Sequence, residues 1–156
     1  MKKWIWFAMA GVAVAALGLL PFVRSDVAKL RPIEVIAVSV DDGKIEVDTD
    51  TDADGEGRTL EEAFKNMKRT TPGDVFLDTA DFLLLEPGCE TLLPELTEYL
   101  RPGCQVCLCV GELDMDKVAA FLRSHEPGVT LQDCRAETSA LSTLVADEEE
   151  MELVYG

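Results

Sequence analysis

The stretch DTDADGEGRTLE, residues 50 to 61, sets oxygen donors at the spacing of a calcium loop. The side chains at its first, third, fifth and twelfth places are Asp50, Asp52, Asp54 and Glu61, and Gly55 stands where such a loop turns sharply. A hard cation takes about six to eight oxygens, and the carbonyl of Glu56 would add one more. Asp50, Asp52, Asp54, Glu56 and Glu61 are therefore the candidate metal ligands, with calcium as the cofactor they would take. Against this, the segment that enters the loop, KIEVD, alternates like a strand. Gly57 replaces the apolar residue that would pair with a partner loop, and Arg58 puts a cation beside the metal. The competing reading is an acid-rich turn, whose Gly55 and Gly57 let the backbone bend and whose carboxylates favour the start of a following helix.

Cys104, Cys107 and Cys109 fall within six residues and could bind zinc or exchange thiols. Cys107 and Cys109, however, are two apart in a stretch that reads as a strand, so they face one side, as small buried hydrophobes do. No helix start follows Cys107, and no second Cys or His pair stands at zinc spacing. With Cys89 and Cys134 the count is five, so at least one thiol stays free and a disulfide scaffold is disfavoured. His125, the single histidine, falls at a helix end, where it would interact with the dipole. No nucleophile-elbow motif accompanies it, and the chain reads as a non-enzyme.

These residues must be positioned by a small set of elements. EVIAVSV and IEVDT alternate on either side of Asp-Gly, the pattern of a β-hairpin. Leu60, Ala63, Phe64 and Met67 recur at helical spacing after Thr59 and Glu62, a capping box that starts a helix at Thr59. A buried strand is expected around Val75–Leu77, and Phe82–Leu85 reads as strand or helix. PELTEYL suggests a short helix, Gln105–Val110 a strand, DKVAAFLRSH a helix, VTLQDC a last strand, and AETSALSTLVADEEEMEL a final helix fading into acid. Strands alternating with helices after an opening hairpin indicate a single α/β domain with a mixed β-sheet.

The run Gly55-Glu56-Gly57-Arg58-Thr59, followed by Glu62-Ala63, lies between the VSVDDGKIEV hairpin and VFLDTADFLLL. This arrangement resembles the N-terminal domain of the spore-germination receptor C-subunit (Ger(x)C) lipoproteins, over roughly residues 33 to 125. The resemblance implies a membrane-attached, extracytoplasmic, non-enzymatic domain of a spore-forming bacterium that works with membrane partners, its Gly-x-Gly turn being structural. The family's lipidated cysteine is absent here, and Asp78-Thr79-Ala80-Asp81 replaces a more basic or His-containing segment.

The sequence opens with Lys2 and Lys3, then an uncharged apolar run from Trp4 to Val23. As a helix those residues would span roughly 30 Å, the thickness of a hydrocarbon core. They are longer than a signal-peptide core, so an uncleaved single-pass transmembrane anchor is expected in the cytoplasmic membrane, with the domain on the extracytoplasmic side. The chain then divides into anchor and linker (1–31), an α/β domain (32–146) and an acidic C-terminal tail (147–156). The net charge is −16. Residues 32–156 hold nine Lys/Arg against 29 Asp/Glu, a balance of −20. Such a surface repels nucleic acid and anionic lipid headgroups, and it suits cations or basic or membrane-embedded protein partners.

Overall fold

The computed structural model describes residues 30–136, 140–147 and 150–155. The apolar run expected to anchor the chain lies outside them. Among the described residues no helix is long and apolar enough to cross a membrane.

A short strand, β1 (Leu30–Pro32), leads into the hairpin of β2 (Val35–Asp41) and β3 (Lys44–Thr49). The register pairs Asp41 with Lys44, so Asp42 and Gly43 form a two-residue turn. Both have positive φ, 47° and 76°, which matches the twist of the flanking strands. β4 (Gly55–Gly57) adds to the outer edge of β3. The capping box then starts α1 (Leu60–Thr70): the Thr59 hydroxyl accepts the Glu62 N–H at 3.2 Å, and the Glu62 carboxylate accepts the Arg58 N–H at 2.9 Å. Leu60, Ala63, Phe64 and Met67 are all buried. α1 presses so closely on β4 that a Cβ on Gly55 or Gly57 would run into the backbone of Ala63.

β5 (Asp74–Phe76) pairs with β1, parallel and apart from the main sheet. It is shallower than the buried strand expected at Val75–Leu77 and ends one residue earlier, because Leu77 already opens a 3-10 turn. β6 (Phe82–Leu85) is buried at every residue and lies parallel to β2. A 3-10 turn at Cys89–Leu92 and α2 (Leu93–Leu96) return the chain to β7 (Gln105–Gly111). α3 (Met115–Leu122) and α4 (Leu131–Ala136) precede β8 (Ser142–Ala146) and β9 (Met151–Val154). The sheet is mixed and seven-stranded, in the order β4-β3-β2-β6-β7-β8-β9. Its four central strands are parallel, with an antiparallel hairpin at each end.

Two C-terminal expectations are corrected. Of residues 129–134, expected as a last strand, Leu131 onward belongs to α4. Thr130 and Asp133 bond reciprocally there: the Asp133 carboxylate accepts the Thr130 N–H at 2.9 Å, and the Thr130 hydroxyl accepts the Asp133 N–H at 3.3 Å. That is a start signal for a helix. The segment read as a final helix with an acidic tail is instead the β8–β9 hairpin. Burial there alternates, with Ser142, Leu144 and Ala146 inside, so a period of two wins over helical propensity.

The sheet is covered unequally. On one face Ile36, Val38, Leu83, Leu85 and Val106 pack under α1, α2 and α4. On the other, Val35, Leu84, Cys107, Cys109 and Leu144 pack against Val118, Ala119 and Leu122 of α3. Both faces of β2 and β6 are thus inside, which accounts for their nearly unbroken apolar runs. Each large side chain so buried contributes about 1.5–3 kcal/mol.

Candidate functional site

The calcium-loop donors are not gathered. Both carboxylate oxygens of Asp50 accept the Glu34 N–H, at 3.1 and 3.2 Å, and the Asp50 N–H donates to the Val35 carbonyl at 3.3 Å. Burial pushes the Asp50 carboxyl up, and these backbone bonds oppose the shift. Thr49 closes the loop: its hydroxyl donates to the Ala53 carbonyl at 2.9 Å and accepts the Ala53 N–H at 3.1 Å. Asp52, inside this closed turn, takes a positive φ of 55°. The Glu56 carboxylate pairs with Lys44 at 3.1 Å, and its carbonyl accepts from the Asn66 side chain at 2.6 Å. Glu61 stands in the first turn of α1, favoured there by the helix dipole. Among the described residues no group of three or more His, Cys, Asp or Glu could hold a metal ion.

The cysteines divide between the two cores. Cys104 faces α1, α2 and α4, whereas Cys107 and Cys109 face α3. Burial pushes the thiols of Cys104 and Cys107 up to about 12 and that of Cys109 to about 11, so thiolate is scarce. All five cysteines are free thiols. His125 stacks on Phe121 with ring centroids 4.3 Å apart, and its Nδ1 lies 3.2 Å from the Phe121 carbonyl. It caps the end of α3.

A different site emerges from the topology. The segment after β6 turns toward the face of α2, and the segment after β7 turns toward the face of α3. Connections that part in this way open a crevice at the carboxyl ends of parallel strands, where open α/β sheets take ligands. A cavity of about 540 Å³ lies there, lined by Ala37 and Ser39 of β2, Asp48 of β3, Leu84, Glu86 and Leu113, among others. Beside it, about 470 Å³ opens among Glu112, Asp114, Lys117, Asp147, Glu150 and Met151. Back along β2 toward its amino end, about 370 Å³ opens among Asp48, Asp52, Asp54 and Met115. Leu113 lines all three.

This crest carries eight carboxylates and one cation, Lys117, whose ammonium lies 3.1 Å from Asp114. The hydrogen bond to Lys117 holds the Asp114 carboxyl below its ordinary value. The Asp48 carboxyl is pushed up, first by burial and then by the charge of Asp54. Glu86 is fixed at the rim by accepting the Val40 N–H at 3.2 Å. Like charges crowded in a cleft with apolar walls focus a negative potential. Chemically, the arrangement can hold positive charge.

Of the metal candidates, the crest includes Asp52 and Asp54 and leaves out Asp50, Glu56 and Glu61. Its remaining carboxylates escape sequence reasoning because they come from separate segments that only the sheet order unites. The signals available were the acidic excess and the apolar Leu113 and Met115 set among Glu112, Asp114 and Asp116. No protein-family model matches the chain, and no curated protein or solved structure matches it.

Proposed function

We propose that the chain is a membrane-anchored interaction domain, displayed on the extracytoplasmic side, whose acidic crest receives a basic segment of a protein partner. It acts by contact and not by catalysis. The observation that carries this reading is the convergence of eight carboxylates around Leu113, with Lys117 as the single cation lining the three cavities. Leu113 and Met115 give the crest apolar footholds, so that it can select a segment mixing positive charge with hydrophobic side chains. The anchor rests on the apolar run Trp4–Val23, and the setting on the resemblance to the germination-receptor subunits.

The test is a titration of the full chain in detergent micelles with a Lys-rich peptide and a Glu-rich control. The Lys-rich peptide binds, and raising the salt weakens it, because exposed charge pairs are screened within about 10 Å at 0.1 M salt. Equal binding of both peptides, or none of either, overturns the proposal.

A further inference from the structure

The crest ends at β9, the last strand of the sheet. Its inner edge pairs with β8 through four consecutive residues, Met151 to Val154, with no bulge. Among the described residues no strand pairs with its outer edge. Exposed sheet edges are usually blunted by charge, Pro, a bulge or shortness; β9 has no Pro, Lys or bulge, and its four residues carry one charge, Glu152. Its side chains are already sorted. Met151 and Leu153 lean on the core beneath α3, while Val154 is 48% exposed and the following Tyr155 63%. Glu152 lies beside Val145, itself 42% exposed, and Glu150 reaches into the crest.

We infer that the outer edge of β9 takes up an extended segment of the basic partner as an eighth strand. This deepens the proposed function and rests on the crest being a site for positive charge. An added strand leaves its backbone groups paired and its side chains alternating. Residues on one side of the segment meet Met151 and Leu153 and must be apolar. On the other side, a Lys or Arg meets Glu152 across the strands, an opposite-charge pair of the kind that stabilises sheets. The partner segment is therefore an alternating basic and apolar stretch. A second copy of this chain fits less well, because edge-to-edge pairing would join two strongly acidic domains.

The experiment uses the full chain in detergent micelles and a peptide alternating Lys and Val, labelled for fluorescence anisotropy. Two companion peptides carry N-methyl groups on every second residue, one in each phase. One phase binds about tenfold more weakly than the parent, since it loses several backbone hydrogen bonds. The amides of Met151–Val154 exchange more slowly when the parent peptide is bound. Glu152→Lys weakens the parent about fivefold. Equal binding of all three peptides, with exchange in β9 unchanged, overturns strand addition and leaves the crest reading standing. No binding of any peptide overturns both. A peptide-free dimer that protects the β9 amides assigns the edge to a second copy and overturns the inference.

Discussion

Leu83 and Leu84 are neighbours in β6, 0% and 1% exposed, yet they face different surroundings. Leu83 lies in the core closed by α1, α2 and α4, whereas Leu84 lines the largest of the crest cavities. The difference separates two duties of one sheet. The first face is sealed and holds the fold together. The second is covered by α3 and left open around Leu113, where the negative charge collects.

The sharpest way to break this contrast is to truncate both residues. Leu83→Ala leaves an enclosed void and costs about 4 kcal/mol, whereas Leu84→Ala opens onto an existing cavity and costs about 2–3 kcal/mol. Urea unfolding of each variant measures the gap, and equal losses would show that both faces are closed alike. Gly57→Ala comes next. Its methyl group would strike the backbone of Ala63, so α1 must lift from β4 at a cost of about 1–3 kcal/mol, read by the same method. A neutral result would mean that the sealed face is looser than its geometry.

Asp48→Asn gives the smallest effect and sharpens the contrast from the open side. Burial and Asp54 hold the Asp48 carboxyl above its ordinary 3.8, so the folded state penalises its charged form. That penalty is full above the raised folded value, falls away as pH drops through it, and is gone below 3.8. Asp48→Asn therefore raises the urea midpoint slightly at neutral pH and leaves it unchanged below 3.8. A loss of stability at neutral pH would overturn this account of the residue.

Where sequence and structure agree, the signals were local and doubled. Asp42-Gly43 sits between two alternating runs, and Thr59 and Glu62 frame an apolar stripe at helical spacing. Where they part, a distant partner decides. Asp50 has the spacing of a metal ligand, but its carboxylate is taken by the Glu34 N–H, sixteen residues upstream. Residues 142–146 sit in an Ala- and acid-rich stretch with helical character, yet β7 supplies a ladder that makes them a strand. The helix at 131–136 did carry a legible signal, the Thr130–Asp133 pair, hidden by the β-branched residues before it. The crest had only one local signature, Leu113 and Met115 set among acids, because its other carboxylates are far apart in the chain and meet only when the strands align.

The order of the sheet has a consequence for assembly. After the first hairpin, β6 docks on β2, β7 on β6, β8 on β7 and β9 on β8. A chain delivered from its N-terminus can therefore accrete strand by strand, and no late segment has to wedge between two that are already joined. Each arrival seals one seam and presents the next, so a partner strand at β9 would repeat the step by which the domain was built.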